Sequence, residues 1–253
     1  MKMHMLSGGL LQMRKHIYLP DAGRDELIEL PVSCVLLRHP QGNVLFDTGC
    51  HPSVADDPEA RWGGLAKFMT PLHPPGPGLI GELAIVGLAP DDIDLVVNSH
   101  LHCDHCGCNE YFTRASFIIP QAELDAAAGP DPEHRGYFTA DWDHPMPTER
   151  LTRERDLFDD GRIVLVPLPG HSPGMTGALV ELDRDGRFLL AADAVCVREG
   201  FDQDICPKNT WDQNVLLNSY QEIRKIEAGG AKVICGHDMA QWRRLKTGAD
   251  AYE

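Results

Sequence analysis

The sequence predicts a mixed α/β sandwich, on three observations. Short apolar runs of strand length follow one another directly in both halves of the chain, helical stretches are interspersed among them, and turn residues bound most runs. Strands in direct succession argue against a doubly wound sheet, in which helices separate the strands. The 253 residues suffice for one large α/β domain, and no linker or repeat divides them, so 1–253 is read as a single domain.

The elements are justified in order. VSCVLLRH (32–39) and NVLFDTG (43–49) are strands joined by the turn-prone Pro40-Gln41-Gly42. The Pro- and Gly-rich stretch 52–78 reads as a long loop with room for one short helix. LIGELAIVGL (79–88) is a helix that stops at Ala89-Pro90, and DLVVNS (94–99) is a buried strand. SFIIP (116–120) is a strand, followed by helical QAELDAAA, which ends at Gly129-Pro130. Residues 130–160 are polar with Tyr137, Phe138 and Trp142 as anchors, a surface excursion that suits a lid and a plain loop equally.

Strands then recur at RIVLVPL (162–168), GALVEL (177–182) and RFLLAAD (187–193). A helix begins near Asp212, with Leu216, Tyr220, Ile223 and Ile226 at helical spacing. The strand AKVICG (231–236) and a last helix after His237 complete the chain. At the start, Met1, Met3, Met5 and Met13 with Leu6, Leu10 and Leu11 fit a hairpin packed into the sheet or the wall of an apolar pocket.

Composition narrows the function. The formal charge of −15 repels phosphate backbones and anionic lipid, so no nucleic-acid or membrane partner is expected. No apolar run approaches the roughly 20 residues that span a bilayer. MKMHMLSGGLLQMRKH is broken by Ser7, Gly8 and Gly9 and does not read as a signal peptide, so a cytoplasmic location is expected. Of the eight cysteines, Cys34, Cys50, Cys196 and Cys235 lie in or beside apolar runs, where reduced thiols act as small core residues.

The chemistry concentrates in NSHLHCDHCGCN (98–109). A strand ending at Ser99 would put His100 and His102 on one side, and the turn that follows would bring Asp104 and His105 round to face them. Imidazoles and carboxylates suit zinc and similar ions. Four such ligands are too many for one catalytic zinc with an open position, and suit two metals completed from elsewhere. His171 in LPGHSPG, Asp193 in LLAADAV and His237 in CGHDM, each at a strand's C-terminal end, supply the rest. Cys103, Cys106 and Cys108 read as small buried residues at the foot of a helix, in preference to a soft metal site or redox switch. The remaining histidines, His4, His16, His39, His51, His73, His134 and His144, read as surface or loop residues.

With these residues in view, the chain resembles the metallo-β-lactamase superfamily of four-layer αββα hydrolases, and within it the N-acyl homoserine lactonases. FDTG (46–49), HLHCDH, PGHSPG, the AAD segment and the final GHD stand in the family's order and spacing, and WGG (62–64) and the length point to the lactonase branch. The resemblance implies that His100, His102 and His171 hold one metal and Asp104, His105 and His237 the other. Asp193 would bridge them, and Asp47 would support the cluster from behind. It further implies two divalent ions, zinc first with manganese, cobalt and iron(II) compatible, a small-molecule lactone substrate and a homodimer joined through WGG and the 52–78 loop.

The implied reaction is lactone hydrolysis by a hydroxide shared between the ions, with Asp104 carrying a proton to the departing ring oxygen. Two positions depart from the family pattern. Cys196, with Asp104 a candidate catalytic residue, stands where a tyrosine contacts the substrate carbonyl; a thiol is a weaker, shorter donor, so that assistance is either lost or supplied by another residue. Met175 stands where a second histidine often follows. Other readings of the same ligand set are another small lactone, of butyrolactone or pyridoxolactone type, and a glyoxalase II-like thioesterase. A di-iron flavin oxidoreductase, a nuclease and a metal-storage protein fit the sequence less well.

Overall fold

The protein is described by a computed structural model covering residues 1–72 and 78–253; 73–77, with His73 and part of the expected 52–78 loop, lie outside the described residues. Two mixed sheets form the body. Strands β1 (Lys2–Arg14), β2 (Leu27–His39), β3 (Gly42–Phe46), β4 (Thr70–Leu72), β5 (Leu95–Val97), β6 (Ser116–Pro120) and β7 (Thr148–Leu151) make one sheet, in the order β4-β1-β2-β3-β5-β6-β7. The second holds β8 (Arg155–Asp156), β9 (Ile163–Pro167), β10 (Thr176–Leu182), β11 (Gly186–Ala192) and β12 (Lys232–Cys235), in the order β12-β11-β10-β9-β8.

The apolar run 34–37 has a plain cause, because both faces of β2 are buried there. Val35 and Leu37 join the core between the sheets, where Met3, Met5, Val44 and Phe46 meet Leu165, Ala178, Val180 and Leu190. Cys34 and Leu36 point the other way, with Leu6, Leu45 and Phe117, and are covered by Leu79 and Leu83 of helix α1 (Gly78–Ile85). Alternation thus feeds two cores at once. Helix α2 (Gln213–Ala228) packs on β11 and β12 and buries Leu216, Tyr220 and Ile223. Helix, sheet, sheet and helix give the expected four-layer αββα architecture. Among the described residues no helix is long and apolar enough to cross a membrane.

Several local expectations change. The first apolar segment is a 13-residue strand paired with β2 rather than a pocket wall alone: Met3 and Met5 enter the core, and Met13 reaches a cavity. The 52–72 stretch contains the short helix Pro58–Trp62 and β4, and Trp62 is fully buried within the protomer. Residues 130–160 are less peripheral than their polarity indicates, since they supply edge strands β7 and β8 and bury Tyr137 and Phe138. His4 and His39 are buried strand residues, His4 Nδ1 lying 3.0 Å from the Gly248 carbonyl and His39 pairing with Asp160 at 2.9 Å.

Candidate metal centre

The ligand-type residues meet at one mouth of the sandwich, just beyond the C-terminal ends of β5, β9, β11 and β12. β5 ends at Val97 and not at Ser99, so strand alternation does not aim His100 and His102. A folded loop does. Asn98 and Asn109, the first and last residues of the histidine-rich stretch, exchange amide hydrogen bonds of 3.2 and 2.9 Å, and the Thr48 hydroxyl donates to Asn109 Oδ1 at 2.8 Å. Inside this clasp, Cys103–Cys106 forms one helical turn that carries Asp104 and His105.

Each remaining residue is placed by its own turn. His171 follows Gly170, whose backbone is pressed against the 213–228 helix; a Cβ there would lie 2.3 Å from Leu216 Cα. Asp193 follows a register shift in the β11–β12 pairing and a left-handed residue, Ala192 at φ +43°. That kink costs on the order of 1–3 kcal/mol and turns the carboxylate out of the strand's alternation into the cleft. His237 follows Gly236, where an added Cβ would lie 2.5 Å from Asp193 Oδ1.

The ring nitrogens are sorted into those tied from behind and those facing inward. His105 Nδ1 lies 2.9 Å from Asp47 Oδ2, His237 Nδ1 lies 3.0 Å from the Pro31 carbonyl, and His100 Nδ1 lies 3.0 Å from the Ser99 hydroxyl. Those contacts tie each ring through Nδ1 and turn its Nε2 inward, where it can ligate once unprotonated. The Nε2 atoms of His100 and His171 each lie 3.0 Å from His102 Nδ1, and those of His105 and His237 lie 3.3 Å apart. Lone pairs aimed at one another repel unless a cation lies between them. Donors about 2.0–2.1 Å from a tetrahedral ion sit about 3.3 Å apart, close to the spacing here. The site therefore fits divalent metal, and its nitrogen and carboxylate donors are those such ions take.

Asp193 divides its oxygens between the two groups. Oδ2 lies 3.4 Å from His171 Nε2, while Oδ1 lies 3.3 Å from His105 Nε2 and 3.0 Å from His237 Nε2. Despite that closeness Oδ1 has no properly oriented hydrogen-bond donor among the described residues. Asp104 Oδ2 stands 3.7 Å from His105 Nε2 and 3.5 Å from His237 Nε2. Burial, and then repulsion from neighbouring histidines, holds His100 well below the ordinary imidazole range. Burial pushes His102 and His171 down to about 4. These three rings are unprotonated and free to ligate at neutral pH. Burial also acts to lower His105 and His237, but carboxylates, including Asp104 and Asp193, outweigh it and raise both.

A cavity of about 510 Å³ opens over the cluster. Met13, Ile17, Leu65, Phe68 and Met69 form an apolar wall, while His134, Arg135, Lys208 and Asn209 bring polar groups. The candidate catalytic residue Asp104 lines it. Cys196, the other candidate catalytic residue, is 2 % exposed and is not among the residues lining this cavity, and its thiol donates to the Asp193 carbonyl at 3.4 Å and to Asp193 Oδ2 at 3.5 Å. Its thiol is thus turned toward the aspartate. Met175 is fully buried in the core between the sheets.

All eight cysteines are free. Cys106 Sγ donates to the Leu101 and His102 carbonyls and Cys108 Sγ to the Cys50 carbonyl, as expected of small buried residues below the helical turn. Glu123 is not foreseen from its residue pattern. This fully buried carboxylate accepts from the N–H groups of Leu101 and Gly174 and from the Tyr137 hydroxyl, joining both histidine loops to the cavity wall. In QAELDAAA it looks like any polar residue of a helix.

The comparisons with known proteins agree with this geometry. The Metallo-beta-lactamase superfamily matches residues 27–243. The N-acyl homoserine lactonase AttM of Azorhizobium caulinodans is 31% identical over 259 residues, covering 100% of this chain and 98% of that one. N-acyl homoserine lactonase AiiA of Bacillus thuringiensis subsp. kurstaki is 30% identical over 219 residues, 85% of this chain and 84% of that one. Among solved structures, an N-acyl homoserine lactone hydrolase with N-hexanoyl-L-homoserine at its catalytic metal centre shares the fold at a TM-score of 0.89 and 24% identity, over 99% of this chain and 98% of that one. Matched along nearly its whole length, the chain belongs to the metallo-beta-lactamase superfamily and, within it, to the N-acyl homoserine lactonase family.

Proposed function

We propose that the protein opens the ring of N-acyl homoserine lactones to N-acyl homoserines, with two divalent ions, zinc first among the candidates. The observation that carries this reading is the division of the Asp193 oxygens between two histidine groups at the base of a half-apolar cavity. His100, His102 and His171 would hold one ion, Asp104, His105 and His237 the other, and Asp193 both. When bound, such ions acidify water toward neutral pH and polarise an ester carbonyl.

The chain's residues supply the rest. Met13, Ile17, Leu65, Phe68 and Met69 offer an apolar surface to an acyl chain, in a cavity of the size that holds small ligands. Asp104 turns Oδ2 to His105 and His237, which leaves Oδ1 to take the proton from the attacking water and pass it to the departing ring oxygen. Asp47 and the Pro31 carbonyl keep the rings of His105 and His237 from swinging. AttM and AiiA, both N-acyl homoserine lactonases by name, support the same substrate class.

The test is proton release on hexanoyl homoserine lactone by zinc-loaded protein, against a chelated control. Metal-dependent acid production well above the control is the expected result. No turnover by protein shown to hold two metals would overturn this substrate and direct the search to other small esters.

A further inference from the structure

Among the described residues lining the cavity, two are tyrosines, and they stand in different states. Tyr137 is committed, because its hydroxyl donates to Glu123 Oε2 at 3.2 Å and that carboxylate is held in turn by two backbone N–H groups. Tyr18 is not. It follows the short turn Lys15–Ile17, its side chain is 3 % exposed, and among the described residues its hydroxyl meets Met13 Sδ alone, at 3.2 Å. A thioether is a weak acceptor. A buried O–H so paired recovers little of the cost of leaving water, and a stronger acceptor would displace the sulfur.

The surroundings of Tyr18 indicate where that acceptor would come from. Tyr18 shares a packed cluster with Met13, Cys103, Cys196 and Val197, and shares the cavity wall with His102, Asp104, Asp193 and His237. Burial first, then the nearby Cys196, Asp193 and Asp104, raises its pKa well above the ordinary phenol range, so the hydroxyl remains a donor at neutral pH. The other donor of the cluster on this side, the Cys196 thiol, is turned back onto Asp193.

We propose that the Tyr18 hydroxyl leaves Met13 Sδ for the ester carbonyl oxygen of the bound substrate and stabilises the negative charge that develops there. This rests on the lactonase reading above. No covalent bond to Tyr18 forms or breaks; its O–H exchanges a thioether for an oxygen that grows more negative toward the transition state. Such a bond strengthens as the reaction proceeds, so it acts on kcat more than on KM.

The test uses the zinc-loaded full chain and Tyr18→Phe, with hexanoyl homoserine lactone as substrate and ring-opened N-hexanoyl homoserine as the binding probe. Three quantities are read: bound metal, kcat and KM, and the tyrosine ultraviolet difference spectrum on adding the ring-opened probe. Tyr18→Phe should keep its metal, lose about 10²-fold in kcat with KM changed less than about threefold, and lose the difference band that the wild type shows. Wild-type kcat in Tyr18→Phe would overturn the proposal and leave the lactonase reading standing. A fall in kcat with the band unchanged would also overturn it, since the hydroxyl would then be structural. If the wild type itself turns over no lactone, both readings fall together.

Discussion

His105 Nδ1 lies 2.9 Å from Asp47 Oδ2, and this contact decides which face of the ring is free. Asp47 is itself fixed by the Ser99 N–H and hydroxyl, each at 2.7 Å, and it sits at a left-handed φ of +62°. Replacing Asp47 with Asn removes the charge behind the ring and sets its amide N–H groups against the donors of Ser99. Metal affinity should fall about 10- to 100-fold with the fold retained. Competition with a chelator, alongside circular dichroism, measures both; unchanged affinity would deny Asp47 its supporting role.

Asp193→Ala removes the carboxylate that faces both histidine groups. Elemental analysis after dialysis should find bound metal reduced to one ion or none. Two ions retained at wild-type affinity would end the bridging assignment.

Asp104→Asn separates ligation from proton transfer, since an amide oxygen still coordinates but no longer accepts and returns a proton. Turnover of the lactone should drop by about 10²-fold or more while KM moves little. Parallel losses in both constants would place Asp104 in binding alone.

A fourth prediction concerns Asp141, whose fully buried Oδ1 receives Arg61 Nε at 2.7 Å while Oδ2 has no partner among the described residues. Burial, opposed by Arg61, raises its pKa from 3.8 to about 6. The folded form therefore binds this proton more tightly than the unfolded chain. Its contribution to stability is fully present below about pH 4 and falls by about 3 kcal/mol as pH rises through about 6. Asp141→Asn abolishes that fall. Urea unfolding of metal-stripped wild type and variant at matched pH values should show the difference between them changing across this window. A constant difference would show that Asp141 does not titrate there.

Much of the site was legible because its residue types are costly or rare elsewhere. A carboxylate at the end of LLAAD and histidines directly after apolar strands need a reason to be there, and metal ligation supplies one for all of them. Strands 116–120 and 162–168 were legible within a residue or two, since apolar runs between turn residues leave few alternatives. Aim was less legible. Strand alternation was the wrong cause for His100 and His102, because the clasp between Asn98 and Asn109 depends on two amides meeting across a folded loop.

By itself, the sequence determined the layered α/β architecture, the seven ligand-type residues and the acidic, thiol-reduced character of the chain, because each follows from local pattern or composition. Only the tertiary structure decided that Cys196 faces Asp193 while Tyr18 lines the cavity with a poorly partnered hydroxyl, that Glu123 links both histidine loops, and that His39 is interior. Those facts depend on which segments pack against one another. Residues 178 positions apart, as Tyr18 and Cys196 are, carry no mark of each other until the fold brings them into one cluster.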